Sequence, residues 1–191
     1  MATYGAKYLQ WAPFKAEGAD ISAEAYPKYD EPINLGALVA VTDNIANAEA
    51  RNYGDNSLQE YVSKFQDLTV DVEVTEMSNA VASKVFGATT GLESDLEYGT
   101  EDAAPYGGMG FYVCKQIGTA KKYQGIYYPK LKATRQGATY NTKGQSISFA
   151  NSKAHFIGTA GANGKYQVFS QDFASESEAK AWVDGKIKAT V

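Results

Sequence analysis

The chain has few of the side chains on which most enzymes and metal proteins depend. Its 191 residues include one cysteine, Cys114, and one histidine, His155. A lone cysteine cannot form an internal disulfide, and one cysteine with one histidine cannot supply an ordinary zinc site. We therefore expect no disulfide framework, no metal and no cofactor, and we interpret Cys114 as a small buried hydrophobic residue.

Long hydrophobic runs are missing as well. No apolar stretch approaches the length that spans a bilayer, and the first residues lack the apolar segment and cleavage pattern of a secretory signal. We therefore expect neither a membrane span nor a signal peptide. The composition is otherwise that of a globular chain, 44% hydrophobic and 21% charged, with 14 tyrosines and 8 phenylalanines that suit strands and interfaces.

Catalytic patterns are weak. Cys114 and His155 are the one nucleophile and base that the chain could pair, but both lie in alternating strand-like segments without an evident third group. The glycine-rich stretch 158–166 fails as a phosphate loop because five residues separate Gly158 from Gly164 and Tyr166 follows where Ser or Thr is needed. We predict that the protein is not an enzyme.

Charge is divided unevenly along the chain. Residues 1–102 hold 18 acidic and 6 basic side chains, whereas residues 103–191 hold 4 acidic and 12 basic ones, and no acid occurs from Ala103 to Gln171. Such asymmetry fits a basic part that meets nucleic acid or the acidic part of another copy. A single domain in which both parts fold against each other explains it equally well.

The segment LTVDVEVTEM (68–77) begins with strict alternation, which predicts a strand with one dry and one wet face. Four aliphatic residues share the dry face. The wet face forms an acidic stripe, a name used below for Asp67, Thr69, Asp71, Glu73 and Thr75. Like charges along one strand face do not stabilise each other, so the stripe calls for a function beyond folding.

The coarse organisation has three parts. Residues 1–32 are expected to form an extended arm, 33–174 a β-rich sandwich or open barrel, and 175–191 a C-terminal helix. Within the β-rich part, the polar stretch 42–60 is interpreted as a long strand-connecting loop with a turn at NYGDNS, and connections of that length are usually functional.

Two helices are predicted from their capping signals. Ser78 is placed to cap a short helix that stops at Gly87, and Ser175 with Glu178 forms a capping box before the C-terminal helix. Strands are expected at 33–41, 61–77, 110–117, 121–129, 130–136, 145–150, 153–159 and 164–170.

Basic residues interleaved with tyrosines occupy residues 121–135. Basic groups beside aromatic rings can bind single strands by charge and stacking, although lysines on strands also keep an exposed face soluble. This alternative, a nucleic-acid-binding β-module, depends on a basic face formed by Lys121, Lys122, Lys130, Lys132 and Arg135.

Six segments read in order resemble the major tail protein of long-tailed bacteriophages with non-contractile tails. They are ATYGAKYLQWAPF, NLGALVAVTDN, AEARNYGDNSLQEYVSKF, LTVDVEVTEM, EDAAPYGGMGFYV and YQGIYYPKLKA, and together they extend over nearly the whole chain. The resemblance implies a mainly β fold of the phage tail tube type, a β-sandwich or open barrel with a short flanking helix, a long strand-connecting loop and a C-terminal helix.

The function implied by this resemblance is structural. Six copies would form a ring, and stacked rings would join their inner sheets into a 24-stranded barrel. The tube would surround a tape measure protein, meet tail terminator and distal tail or baseplate proteins at its ends, and conduct DNA without sequence-specific binding. The expected location is the virion tail, with the host cytoplasm during assembly.

The same resemblance gives two sets of residues a hypothetical role. The acidic stripe would face the lumen, where carboxylates repel phosphates within the ~8 Å Debye length of physiological salt. If that face is instead exposed to solvent or covered, the stripe has no such role. The long loop would contact the neighbouring ring through Asp43, Asn44, Ile45, Glu49, Arg51, Asn52, Tyr53 and Asp55.

Overall fold

The computed structural model describes residues 2–15, 26–91, 95–138 and 150–188. The fold is mainly β with two helices, which confirms the predicted fold class. The strands are β1 (Ala2–Pro13), β2 (Ile33–Asn34), β3 (Leu38–Gly54), β4 (Ser57–Val74), β5 (Thr89–Thr90), β6 (Leu96–Glu97), β7 (Tyr106–Ile117), β8 (Ala120–Thr134), β9 (Ser152–Gly158) and β10 (Val168–Phe169), and the helices are α1 (Asn79–Phe86) and α2 (Glu176–Ile187).

One large antiparallel sheet forms the body of the protein. Its strand order is β2-β1-β7-β8-β9-β4-β3, and β10 pairs with β8 beside this path. A single hydrophobic core combines side chains of β1 and β7 with those of β4 and β9, so the sheet bends over and encloses its own inner face. α1 contributes Ala82, Val85 and Phe86 to the same core.

The outer face of the sheet is covered over half its width. α2 packs across β1, β7 and β8 and forms a second cluster through Val183 and Ile187, with Ala12 and Tyr127 from the strands. β7 has a nearly unbroken run of buried residues because the core covers its inner face and α2 covers its outer face. β4 lies in the other half and alternates between buried and accessible residues, because only one of its faces is covered.

Both predicted helices are confirmed at their caps. Ser78 accepts a hydrogen bond from the Val81 N–H, and Gly87 ends α1 with φ +71°, a conformation that glycine adopts without strain. α2 begins with the predicted capping box of Ser175 and Glu178. The stripe predicted for this helix is also present, with Ala179, Val183 and Ile187 fully buried and Trp182 half-buried.

The interpretation of 42–60 as a loop is wrong. These residues lie in a β-hairpin whose strands β3 and β4 pair from Leu38–Val74 to Gly54–Ser57, with the turn at Asp55 and Asn56. Both turn residues have positive φ (+48° and +59°), as a tight hairpin requires. The distal part of this hairpin is exposed on both faces, so its sequence carries no hydrophobic alternation.

The interpretation of residues 1–32 as an extended arm is wrong for residues 2–13. They form β1, which lies between β2 and β7, and Leu9 and Trp11 are fully buried in the core. The register with β7 shifts near Gly5 and Tyr8, which have φ +64° and +62°. These two irregularities interrupt the period-2 pattern by which a strand is recognised.

The remaining strand predictions differ mainly at their ends. The two segments predicted at 121–129 and 130–136 are one strand, β8, and the segment 164–170 is strand only at Val168–Phe169. The segment predicted at 33–41 is interrupted between β2 and β3. The prediction for 145–150 falls almost wholly outside the described residues.

Candidate assembly interface

Within the described residues, the uncovered part of the outer face is formed by β9, β4 and β3, together with the end of β8 (131–134) that pairs with β9. Leu68, Val70, Val72 and Val74 point inward and are essentially fully buried, as the alternation predicted. The residues between them point outward. We call this surface the bare face.

Most of the acidic stripe lies on the bare face. Asp71 is exposed, whereas Asp67, Thr69 and Glu73 are half-buried; Thr75 follows the end of β4 and is exposed. The stripe is therefore a real surface feature, although its orientation towards a lumen stays a prediction.

A histidine and a lysine lie beside the two central carboxylates of the stripe. On β9, His155 lies opposite Asp71 and Lys153 lies opposite Glu73. The His155 Nδ1 and an Asp71 carboxylate oxygen are 2.7 Å apart, and the Asn151 side-chain amide donates to Glu73 Oε1 at 2.6 Å. The bare face is thus a surface of mixed charge rather than a uniformly acidic one.

A shallow groove of about 400 Å³ runs between β3, β4 and β9. Its polar lining comes from Thr42, Asp71, Glu73, Gln136 and Lys153. Two carboxylates and one lysine line it, and it lacks the apolar enclosure typical of small-molecule sites. Its chemistry suits an extended polar surface better than an enclosed ligand.

The β3–β4 hairpin extends beyond the body of the protein. Every side chain described between 47 and 64 is exposed, on both faces of the ribbon. Large apolar or aromatic residues are nevertheless concentrated here, with Tyr53 64% and Leu58 51% exposed, and Tyr61 and Val62 close by. Tyr53 and Leu58 are directly paired across the strands near the tip. Large exposed side chains gathered on one element are typical of an interaction surface.

A polar network holds the middle of the ribbon. Glu49 accepts hydrogen bonds from the Tyr61 hydroxyl (2.7 Å) and from Arg51 (3.2 Å), and the Arg51 guanidinium lies 5.5 Å from the Tyr61 ring centre. The hydrogen bond from Tyr61 is the main reason that the pKa of Glu49 is lowered. These contacts stay within the hairpin and leave its apolar side chains accessible.

The residues predicted to contact a neighbouring ring are distributed along this hairpin. Three of them (Asp43, Asn44 and Ile45) lie at its base, four lie in the projecting ribbon and Asp55 lies in the turn. In the described part of the chain, β3 has a hydrogen-bonded neighbour on one side only, along all 17 of its residues. A free edge of this length is a template for another strand.

The predicted basic face is not a single patch. Lys121 and Lys122 lie near the β7–β8 turn, opposite Gln116 and Lys115. Lys130 and Lys132 lie at the other end of β8, 5.2 and 5.3 Å from the Tyr106 ring centre, and Arg135 stacks 3.9 Å from the Tyr98 ring centre. This separation removes the continuous basic surface on which the nucleic-acid alternative depends.

Cys114 and His155 are not brought together. Cys114 is half-buried and pairs in register with Tyr123 of β8, whereas His155 pairs with Thr134, eleven residues further along the same strand. No nucleophile–base contact therefore joins them. Within the described residues, the His, Cys, Asp and Glu side chains form no group of three or more that could hold a metal ion.

Contacts at the hairpin base had no signal in the sequence analysis. The Asp43 carboxylate accepts hydrogen bonds from Tyr128 (2.9 Å) and Gln167 (2.7 Å), and Phe65 stacks on Tyr166 with ring centres 4.0 Å apart. Burial and the Asp43 charge raise the pKa of Tyr128, so its hydroxyl stays a donor. The partners are 85 to 124 positions apart in sequence, beyond the reach of any local pattern.

Comparison with known proteins does not identify a family for this chain. No protein family model matches it, and no curated protein shows significant sequence similarity. No helix in the described ranges is long and apolar enough to span a membrane. The resemblance to phage tail proteins therefore stays a prediction, and the case for a function depends on the surfaces described above.

Proposed function

We propose that this protein is the structural subunit of a hollow, self-assembling tube of the phage tail type. The observation that carries the proposal is the β3–β4 hairpin. Among the described residues, the outer edge of its 17-residue strand β3 pairs with no other strand, and its projecting ribbon is rich in exposed apolar side chains. Monomeric proteins usually blunt or cover such an edge. Head-to-tail association of identical copies uses the edge and leaves none exposed.

The bare face has suitable dimensions for the inner wall of such a ring. It consists of β9, β4, β3 and the 131–134 part of β8, so six copies would supply 24 strand segments. With strands about 4.8 Å apart and tilted about 45°, the resulting barrel has a diameter of roughly 50 Å between backbones, which admits a DNA duplex after side chains are subtracted. α2 covers the opposite half of the outer face and would lie on the outside of the tube.

The hairpin would connect successive rings. Eight residues of each strand (47–54 and 57–64) extend beyond the last half-buried positions, so the ribbon reaches roughly 26 Å from the body at about 3.3 Å per residue. Burial of its apolar side chains against another copy would supply the stacking free energy. The eight residues from Asp43 to Asp55 that the sequence analysis assigned to ring contacts all lie on this element.

The mixed charge of the bare face modifies the predicted role of the acidic stripe. A wall of lysines alone would hold DNA by displacing its counterions. Here Lys153 lies opposite Glu73 and His155 opposite Asp71, so the Glu73 carboxylate offsets the lysine charge beside it. We propose that this balance keeps DNA in transit from adhering, with the tape measure protein and the tube-end proteins as further partners in the virion.

Electron microscopy of the concentrated, negatively stained protein tests the proposal. We expect rings or tubes with a central hole, together with a concentration-dependent increase in light scattering. Subunits that remain monomeric at every concentration, and that instead shift single-stranded DNA at low salt, would contradict the proposal and favour the nucleic-acid-binding alternative.

A further inference from the structure

The angle at which the hairpin leaves the sheet must be set at its base. The ribbon from 47 to 64 is exposed on both faces, and an isolated two-stranded ribbon is only marginally stable and twists readily. The sheet itself gives no lateral support on one side, because β3 is the edge strand. The contacts that fix the ribbon are therefore those at its base, where its side chains first become half-buried.

Two such contacts come from one loop, residues 159–167. Gln167 donates to the Asp43 carboxylate of β3 at 2.7 Å and to the Tyr128 hydroxyl at 3.1 Å, and the same hydroxyl donates to Asp43 at 2.9 Å. This closed triangle ties β3 to a tyrosine whose ring is buried in the core. Charge-assisted hydrogen bonds of this kind are among the stronger ones in proteins.

The second contact holds the other strand of the hairpin. Tyr166 stacks on Phe65 of β4, with ring centres 4.0 Å apart and planes only 6° from parallel. Both rings are half-buried and pack against the edge of the main core. Since Gln167 and Tyr166 are adjacent, one loop contacts both β3 and β4 at the point where they leave the body of the protein.

The loop is itself restrained. It begins with the Thr159 N–H donating to the Lys130 carbonyl at 3.2 Å, and it runs into β10 through the pairing of Val168 with Tyr127. Between these anchors a tight turn is closed by the bond from the Gly161 N–H to the Lys165 carbonyl at 3.0 Å. Because the loop is held at both ends and in its middle, it can hold the two hairpin strands that it contacts in a fixed direction.

We propose that the 159–167 loop is a strut that sets the direction of the hairpin, with Tyr166 and Gln167 as positioning residues that act through Phe65 and Asp43. The consequence for stacking rests on the proposed function, whereas the direction itself is a property of the single subunit. Because the ribbon is about 26 Å long, a 10° change in direction at its base moves its tip by about 4.5 Å, close to the separation of two neighbouring strands.

Spin-label distance measurements on the full chain test this inference. Labels at Asn52→Cys on the ribbon and Ala181→Cys on α2, both exposed positions, are placed in a Cys114→Ala background. We expect a narrow distribution of distances between them. Tyr166→Ala with Gln167→Ala should broaden this distribution at least twofold, whereas far-UV circular dichroism stays unchanged.

Two controls separate direction from general stability. Lys165→Ala lies in the same loop and has an exposed side chain, and Tyr166→Phe keeps the stacked ring; both should retain the narrow distribution. An unchanged distribution in the double variant would overturn the inference. If that variant does not fold, Asp43→Ala with Phe65→Ala removes the same two contacts from the side of the hairpin, and an unchanged distribution there is equally decisive.

These distances are measured on dilute subunits and do not depend on tube formation. Failure of the wild-type protein to form tubes would refute the proposed function but leave the strut intact. Normal tubes from a double variant whose hairpin is broadly distributed would show that hairpin direction does not govern stacking.

Discussion

Removal of the apolar pair at the hairpin tip should weaken assembly without unfolding the subunit. Tyr53 and Leu58 are 64% and 51% exposed and face each other across the strands. Replacement of both by threonine keeps strand propensity, and the subunit should change in stability by no more than about 0.5–1 kcal/mol. If the exposed half of each side chain becomes buried between rings, removing that side chain weakens the free energy of assembly by about 1 kcal/mol. The two substitutions together then cost about 2 kcal/mol per subunit.

The corresponding measurement is the critical concentration for assembly, obtained by light scattering or sedimentation. A cost of about 2 kcal/mol per subunit should raise it about thirtyfold. Phe169→Thr is the matched control, because Phe169 is 54% exposed but lies on β10, away from the hairpin. The reasoning is refuted if the double variant assembles at the wild-type concentration, or if the control raises that concentration as much.

Three further perturbations address the bare face and the packing of α2. Asp71→Lys with Glu73→Lys should leave assembly intact but cause tubes to retain DNA at low salt and slow its ejection; unchanged retention and ejection would count against the lining. Gly125→Ala should destabilise the subunit by about 1–3 kcal/mol in urea unfolding, because a Cβ there overlaps the indole of α2, whereas Gly185→Ala in open space should stabilise it slightly. The pKa of Glu176 is lowered chiefly by a hydrogen bond from a tyrosine of β7. The ionised carboxylate therefore stabilises the folded state above about pH 4.5, and this stabilisation is lost as the pH falls through the lowered pKa. Glu176→Gln should flatten the acid limb of a plot of Tm against pH.

The sequence predicted best those elements whose environment differs between two faces. The segment from Leu68 to Val74 alternates because one face of β4 lies on the core and the other is bare. The two helices were predicted equally well, because Ser78 and Ser175 cap them through side chains only a few residues away. In each case the residues that form the sequence pattern lie in the same strand, or in the same helical turn, as the structure that the pattern predicts.

The hairpin was missed because its environment is the same on both faces. From 47 to 64 both faces are exposed, so no period-2 pattern arises, and Asn, Ala and Glu have low strand propensity. The turn predicted at NYGDNS is confirmed at Asp55 and Asn56, whose consecutive positive φ angles are typical of tight hairpins. β1 was missed for another reason, because irregularities at Gly5 and Tyr8 shift its register.

The candidate interface was only partly accessible to sequence reasoning. The acidic stripe was predicted on an outward face, but the basic neighbours on β9 come from a strand about 84 positions later. Pairing over such a separation depends on the fold, and a one-dimensional count of charge cannot reveal it. The same limitation led to the grouping of Lys121 with Lys132, which the length of β8 separates.

The distribution of cover over the sheet is the strongest argument for assembly. α2 covers β1, β7 and β8 with fully buried apolar residues, which shows that this chain can shield a sheet face where shielding is needed. In the part of the chain that the structure describes, no element covers the bare face or pairs with the outer edge of β3, and the ribbon beyond them presents Tyr53 and Leu58 to solvent. A monomer gains no stability from a projecting ribbon with exposed apolar side chains. A subunit that must bind the same neighbour repeatedly needs both this apolar surface and a ribbon of fixed direction.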